Sequence, residues 1–234
     1  MRLDRYISNA TGLSRRLVHQ HIKAGDVTVG GHTAKSKSLQ LEEPFQVFLN
    51  GALVEPAEPV YLMLNKPEGV VCANTDSEHP TVIDLLEYFP EAFHPTDELQ
   101  IVGRLDIDTT GLVLLTTDGK WNHRVSSPNS HCDKLYRLTL SEAINDEAIA
   151  ELEGGVLLHS ETKLTKPCRV TRLSDTEFTI ELHEGKYHQV KRMFAAVGGQ
   201  VIQLHRERIG HIQLDQELEP GECRALTANE ISFL

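Results

Sequence analysis

Short β-rich runs, separated by only a few helical segments, dominate the chain after residue 60. Each run is a few residues long and is bounded by turn-forming residues, which is typical of strands. The runs are Val60–Leu64, Ile101–Val102, Leu112–Thr117, Leu135–Leu140, Cys168–Leu173, Phe178–Leu182 and Val201–Leu204, with helical patterns at Val82–Tyr88, Asp146–Glu153 and Gln189–Val197. Because strands and helices do not alternate regularly, the pattern predicts an α+β fold: a mixed, mainly antiparallel sheet with flanking helices.

The start of the chain predicts a smaller unit of a different kind. Leu3, Tyr6 and Ile7 form one apolar helical stripe, and Ser14 can cap a second helix that ends at Gly25. The remaining features are the inward-facing Val18 and Ile22, a strand from Asp26 into a Gly30–Gly31 turn, and a strand at Phe45–Leu49. The pattern is that of a compact helix-helix-hairpin module.

Residues 50–59 contain Gly51, Pro56 and Pro59 and show no hydrophobic period, so we place the linker there. The sequence thus predicts a module at residues 1–57 and a larger domain at residues 58–234.

The charge of the chain is unevenly distributed. Residues 1–40 carry seven basic side chains against Asp4 and Asp26, a balance of +5, so the remainder carries −16 of the formal net charge of −11. Such asymmetry indicates a basic module joined to an acidic body, although a solvated basic face without a partner would look the same. Arg15 and Arg16 begin the second helix, where cations oppose the macrodipole at a cost of roughly 0.3–1 kcal/mol each, which favours an anionic partner.

The four cysteines, at positions 72, 132, 168 and 223, are widely spaced, which argues against a disulfide framework or a thiolate zinc site. The first ten residues carry charge where a secretory signal would be apolar, and Leu112–Leu115 is far too short to cross a bilayer. We therefore expect a soluble, cytoplasmic protein without a metal site.

The segment from Ile101 to Gly119 contains the best candidate for a reactive side chain. Two apolar strands flank a polar loop in which Asp106 lies near Arg104, so rigid elements hold the loop in place. The neighbouring positive charge favours the ionised form of the Asp106 carboxyl group. An aspartate that merely caps its own turn is the alternative.

A second polar segment, Glu184–Gly198, runs from a strand end into a helix. It brings together Lys186, His188, Lys191 and Arg192, and the segment after Leu204 adds Arg206 and Arg208. This basic strip could hold a phosphodiester backbone or supply a partner for Asp106, whereas an ordinary solvated helix face is the alternative.

Four features together resemble the RsuA branch of the pseudouridine synthases. They are Arg104-Leu-Asp106 with Thr109 and Gly111, Lys66-Pro-Glu-Gly-Val, the strand of Tyr136, and Glu184-Gly-Lys-Tyr-His-Gln-Val-Lys-Arg-Met. The N-terminal module resembles an RNA-binding module that is also found in a small-subunit ribosomal protein. The resemblance covers nearly the whole chain, in order.

The resemblance implies roles for several residues. Asp106 would be the catalytic aspartate, Tyr136 the tyrosine that stacks on uracil, and Lys191 the basic partner of Asp106 through a single-point contact, where many relatives carry arginine. Arg104 would hold the loop and the RNA backbone. The other expected RNA contacts are Arg15, Arg16, Lys23, Lys186, His188, Arg192, Arg206 and Arg208.

The implied reaction turns a uridine of small-subunit ribosomal RNA, free or in an assembling particle, into pseudouridine without a cofactor. Asp106 would either attack the anomeric carbon or remove the neighbouring sugar proton, after the uridine has been flipped out of the RNA. We expect a monomer without membrane contact. Two other functions remain open: a non-catalytic RNA-binding protein, and a magnesium-dependent phosphatase, because Asp106-Ile-Asp108-Thr109 mimics an Asp-x-Asp-x-Thr nucleophile loop.

Overall fold

The computed structural model describes residues 1–56, 58–88, 99–127 and 132–232, which fall into two compact units, one within Met1–Pro59 and one from Val60 onward. The helices are α1 (Leu3–Thr11), α2 (Arg15–Ala24), α3 (Gly119–Ser126), α4 (Asp146–Gly154), α5 (Gln189–Ala196) and α6 (Ala228–Ser232), with a 3-10 helix at Asp84–Tyr88. The strands are β1 (Val27–Val29), β2 (His32–Thr33), β3 (Val47–Leu49), β4 (Ala52–Leu53), β5 (Tyr61–Lys66), β6 (Gln100–Val102), β7 (Thr110–Thr116), β8 (Lys134–Leu140), β9 (Arg169–Arg172), β10 (Glu177–Leu182), β11 (Val201–Ile209), β12 (Ile212–Gln213) and β13 (Cys223–Ala225).

The first unit combines α1 and α2 with a four-stranded antiparallel sheet in the order β2-β1-β3-β4. The side chain of Ser14 accepts a hydrogen bond from the backbone N–H of Leu17 at 3.4 Å, so the predicted cap is confirmed. The predicted apolar positions share one buried core: Leu3, Tyr6, Ile7, Val18 and Ile22.

The predicted linker begins too early. Asn50 and Gly51, with φ angles of 51° and 82°, close a tight hairpin between β3 and β4, in which Leu49 pairs with Ala52. An Asn-Gly pair is the preferred sequence for such a turn, because both residues tolerate a positive φ. Residues 50–53 therefore belong to the first sheet.

The second unit is built on a nine-stranded sheet in the order β13-β5-β7-β11-β8-β10-β9, with β12 paired to β11 and β6 paired to β7. Among the described strand pairs, only β7 and β11 run parallel. The α+β class with a mixed, mainly antiparallel sheet is thus confirmed.

The central strands of this sheet are buried on both faces, which explains their continuous apolar sequences. In β7, Val113 and Leu115 face one core, whereas Leu112 and Leu114 face another together with Trp121 of α3. A further core packs α4 and α5 against β8, β10 and β11. None of the helices in the described part of the chain has the length and apolar character that a membrane span requires.

Candidate active site

Asp106 lies in the loop between β6 and β7, which pair antiparallel and hold the two ends of the loop. The backbone closes the turn, because the N–H of Thr109 donates to the carbonyl oxygen of Asp106 at 3.1 Å. The carboxylate of Asp106 is therefore not needed to cap the turn. Its side chain is 31% exposed and lines a cavity of about 580 Å³.

A buried lysine fastens the far end of this loop. Lys66, the last residue of β5, is fully buried, and its ammonium donates to the carbonyl oxygens of Pro67 (2.9 Å), Ile107 (3.3 Å) and Thr109 (2.7 Å). Burial lowers the pKa of Lys66, opposed by the nearby thiol and carboxyl groups. The three carbonyl acceptors compensate in part for the lost hydration of the ammonium.

A buried arginine fastens the near end of the loop. Arg206 on β11 is 1% exposed, and its guanidinium donates to the carbonyl oxygens of Gly103 (2.5 Å) and Leu112 (2.8 Å). Arg206 is the register partner of Tyr136 on β8, its guanidinium carbon lies 5.9 Å from the centre of the tyrosine ring, and Nη1 donates to the hydroxyl at 3.5 Å. This burial differs from the expectation that Arg206 contacts the RNA backbone, because three of its five N–H donors are directed at groups inside the protein.

The carboxylate of Asp106 faces two basic side chains from the Glu184–Gly198 segment. His188 Nε2 lies 3.4 Å from Asp106 Oδ1, and Lys191 Nζ lies 3.8 Å from Asp106 Oδ2. The shorter contact of Lys191 is with Asp108 Oδ1, at 2.5 Å, and this hydrogen bond holds the pKa of Asp108 below its usual value. Lys191 thus lies between two carboxylates and approaches Asp106 at a single oxygen, and its closer contact with Asp108 was not predicted from the sequence.

The cavity beside Asp106 combines a carboxylate, an aromatic ring and several cations. Tyr136 is half-buried there, and Arg104, Lys134, Tyr187 and His188 line the same space. A cavity of this volume lies within the range of small-ligand sites, so it can take up a single nucleotide. In the ranges that the structure describes, no three His, Cys, Asp or Glu side chains are grouped to hold a metal ion.

Among the described residues that were predicted to contact RNA near this cavity, most already pair within the protein. Arg104 is exposed at the edge of the cavity and has no described role in fastening the loop, which Lys66 and Arg206 hold. The others pair within the protein: Lys186 with Glu161 at 3.0 Å, Arg192 with the carbonyl oxygens of Tyr187 (3.0 Å) and His159, and Arg208 with Glu181 and the carbonyl oxygen of Gly210.

The basic residues predicted in the first unit are exposed on α2: Arg15, Arg16 and Lys23.

Sequence reasoning assigned no role to two lysines of the site. Lys66 belonged to a motif that the resemblance singled out, but a lysine at the end of an apolar strand gives no sign that it is buried. Lys134 lines the cavity two residues before Tyr136 on β8, and burial together with the charge of Arg206 lowers its pKa. The alternation of a strand places Lys134 and Tyr136 on one face, which is a signal that could have found it.

Comparisons with known proteins identify the family. Residues 60–196 match the family model described as RNA pseudouridylate synthase. The chain belongs to this family. The ribosomal small subunit pseudouridine synthase A of Yersinia pestis is 47% identical to this pseudouridylate synthase over 233 residues, 99% of this chain and 97% of the relative. The enzyme of the same name from Escherichia coli strain K12 is 46% identical and covers 99% of each chain.

A crystal structure of a pseudouridylate synthase matches this synthase along its length. It is 41% identical, has a TM-score of 0.70 and covers 99% of this chain and 98% of that one. The resemblance inferred from the motifs is therefore confirmed, and the phosphatase interpretation is wrong.

Proposed function

We propose that this pseudouridylate synthase isomerises a uridine of small-subunit ribosomal RNA, with Asp106 as the catalytic carboxylate. The observation that carries the proposal is that Asp106 lines a nucleotide-sized cavity, while Lys66 and Arg206 hold the two ends of its loop by hydrogen bonds to backbone carbonyl oxygens. The choice of RNA is supported by relatives at 46–47% identity that are named ribosomal small subunit pseudouridine synthase A.

The reaction breaks the bond between uracil N1 and the anomeric carbon and joins uracil C5 to that same carbon. The proton on C5 leaves to solvent, and N1 gains a proton, so no electron and no group passes to a second molecule. Asp106 serves either as nucleophile at the anomeric carbon or as base toward the adjacent sugar proton. Both routes require an anionic oxygen beside the ribose.

The neighbours of Asp106 keep its carboxylate in place and ready. Lys191 and His188 approach its two oxygens from α5 and the turn before it, at 3.8 and 3.4 Å, and the ammonium of Lys191 attracts the carboxylate. Tyr136 offers a ring on which the detached uracil can stack while it turns, and Arg206 steadies that ring from the neighbouring strand. The uracil is thus retained between bond cleavage and bond formation.

A uridine within folded RNA must first be flipped out, which costs a few kcal/mol of stacking. In our proposal the module at residues 1–57 binds the RNA backbone through Arg15, Arg16 and Lys23, and residues 58–234 act as the catalytic domain with Arg104 at the mouth of the cavity. The protein would act in the cytoplasm as a monomer, on free or assembling small-subunit RNA.

The substrate is tested with ribosomal RNA that carries tritium on uracil C5. We expect the wild-type protein to release tritium from small-subunit RNA at a single position, which is then mapped, and to release none from large-subunit RNA. Release only from large-subunit RNA would overturn the choice of substrate. No release from either RNA or from their assembly intermediates would favour a non-catalytic RNA-binding protein.

A further inference from the structure

Tyr187 lines the active-site cavity, and the proposed isomerisation assigns no role to its side chain. Its side chain is 76% exposed, although it lines the same cavity as Asp106 and Tyr136. Other large apolar side chains of the protein are also exposed, among them Ile202 and Leu173, and single ones are ordinary. Tyr187 differs from these aliphatic residues because it presents a flat aromatic ring at the edge of the site.

The backbone that carries Tyr187 is fastened, so the exposed ring is held in a defined place. The carbonyl oxygen of Tyr187 accepts a hydrogen bond from Arg192 Nη1 at 3.0 Å, and the N–H of Lys186 donates to Gln189 Oε1 at 2.8 Å. His188 has a left-handed φ of 47°, a strained conformation that a histidine keeps only where its surroundings hold it.

The ring of Tyr187 is stacked on the ring of His188. The two centroids are 3.8 Å apart, and the planes are inclined by 19°. His188 in turn reaches the carboxylate of Asp106 at 3.4 Å. A short stack of rings therefore leads from the catalytic carboxylate to the surface, and its outer member is exposed.

We propose that Tyr187 is a stacking platform for the base of a nucleotide that adjoins the flipped uridine. This inference rests on the proposed function, because it assumes an RNA substrate at Asp106. When a uridine leaves the helix, its neighbours lose a stacking partner, and an exposed aromatic ring beside the cavity can replace it. Stacking requires no particular base, so the platform contributes to binding and leaves the choice of sequence to other contacts.

The test uses a segment of small-subunit RNA around the mapped uridine, in which one flanking nucleotide at a time is made abasic. With the wild-type protein, loss of the base that rests on Tyr187 is expected to raise KM about tenfold and to leave kcat nearly unchanged. Tyr187→Ala should show a similarly raised KM on intact RNA and no further rise with the abasic RNA. Tyr187→Trp should behave like the wild type.

Ile202→Ala is the matched control, since it removes an exposed apolar side chain that does not line the cavity, and it should keep the wild-type response. The platform is refuted if wild type and Tyr187→Ala respond equally to an abasic nucleotide at every flanking position. A wild-type protein that releases no tritium from full-length small-subunit RNA or its assembly intermediates would instead overturn the proposed function, and the platform with it.

Discussion

Asp106 shares its lysine with a second carboxylate, and this arrangement has consequences for the strength of each contact. Lys191 Nζ lies 2.5 Å from Asp108 and 3.8 Å from Asp106. A single ammonium can point its three donors at different acceptors, whereas it cannot form a bidentate fork with one of them. Asp108 therefore positions Lys191 beside Asp106 and is itself exposed, with 57% of its side chain accessible.

Replacement of Lys191 tests whether this bridge supports catalysis. Lys191→Met is expected to lower kcat by about 10- to 100-fold, the factor equivalent to a charge-assisted hydrogen bond of roughly 1.5–3 kcal/mol. Lys191→Arg should retain most of the activity, because a guanidinium keeps the charge and can reach both carboxylates. Tritium release under single-turnover conditions measures both variants, and equal rates for Lys191→Met and wild type would remove Lys191 from the site.

Lys66 acts on Asp106 only through the backbone of the loop. Lys66→Met would leave the carbonyl oxygens of Ile107 and Thr109 without their donor, at roughly 1–3 kcal/mol for each buried group, while it also removes the cost of a buried ammonium. Because the two effects oppose each other, we expect the free energy of unfolding to fall by less than the combined cost of the two carbonyl groups. We expect kcat to fall at least about tenfold.

Denaturant titration and tritium release separate these effects. A Lys66→Met variant that is destabilised but fully active when folded would show that the loop keeps its geometry without the lysine.

At the scale of elements, the parallel pair β7–β11 decides where the site can form. β11 pairs with β7 at Gly111 and with β8 at Tyr136, both opposite Arg206, so one strand joins the loop of Asp106 to the strand of the tyrosine. Gly111 has a φ of 102°, and a Cβ atom at this position would lie 2.3 Å from the carbonyl oxygen of Arg206. Only glycine allows the two strands to approach this closely.

Gly111→Ala is accordingly expected to destabilise the protein by several kcal/mol, since it combines backbone strain of about 1–3 kcal/mol with a steric clash. Gly221→Ala is the matched control, because Gly221 has a φ of 97° and open space around the new methyl group. Urea denaturation should show a loss of about 1 kcal/mol for the control. Equal losses for the two variants would mean that the strand contact does not require glycine.

The last helix is held by a capping box that the sequence analysis overlooked. Thr227 Oγ1 accepts a hydrogen bond from the N–H of Glu230, and Glu230 accepts one from the N–H of Thr227 at 2.7 Å. Arg224 on β13 donates two hydrogen bonds to the same carboxylate, at 2.9 and 3.0 Å, which lowers the pKa of Glu230 to about 2.

Because the pKa of Glu230 is lower in the folded state, its contribution is complete above the ordinary value of 4.5 and is lost as the pH falls toward about 2. Glu230→Gln is expected to be about 1–2 kcal/mol less stable than wild type at pH 6, after allowance for solvent screening. The difference should shrink steadily between pH 5 and pH 2 in denaturation experiments. A constant difference over this range would assign the effect to packing.

Apolar periodicity located most strands of the sheet, but it could not give their full extent. The strand predicted from the sequence ended at Leu204, whereas β11 continues to Ile209. The prediction stopped early because Arg206, which is buried, occupies a position where an apolar residue is expected. The helix α3 was missed because its short sequence has only Trp121 and Val125 as buried residues. Tertiary contacts, which a local pattern does not contain, decide both cases.

At the scale of the whole molecule, an acidic protein must bind an acidic polymer, and the distribution of charge is what makes this feasible. The excess of +5 in residues 1–40 contrasts with −16 in the rest of the chain. Cations that contact phosphates release counterions, so their number appears in the salt dependence of binding.

Neutralising two exposed cations of α2 measures their part in RNA binding. Arg16→Gln combined with Lys23→Gln should weaken binding to small-subunit RNA and lower the slope of log K against log salt by about 1 for each lost phosphate contact. Arg169→Gln, on the edge strand β9, is a control of the same chemistry in the other unit. Removal of residues 1–57 should flatten the slope further, and an unchanged slope after truncation would refute the RNA-binding role of the module.

The motifs predicted from the sequence that the loop of Asp106 and the basic segment Glu184–Gly198 belong together, because each depends on residues that lie close along the chain. They could not locate the supports of the loop. Lys66 and Arg206 come from strands about 40 and 100 residues away in the chain, at separations of 43 residues to Thr109 and 103 to Gly103. Their role becomes visible only when the sheet brings β5, β7 and β11 side by side.

We propose that the carboxylate of Asp106 performs the isomerisation, and a pair of matched variants tests this role. Asp106→Asn keeps the shape of the side chain and removes its charge. Asp108→Asn makes the same change two residues further along the same loop. With small-subunit RNA tritiated on uracil C5, we predict no detectable release by Asp106→Asn and release within about tenfold of wild type by Asp108→Asn. Wild-type release by Asp106→Asn, with RNA binding intact, would contradict the claim.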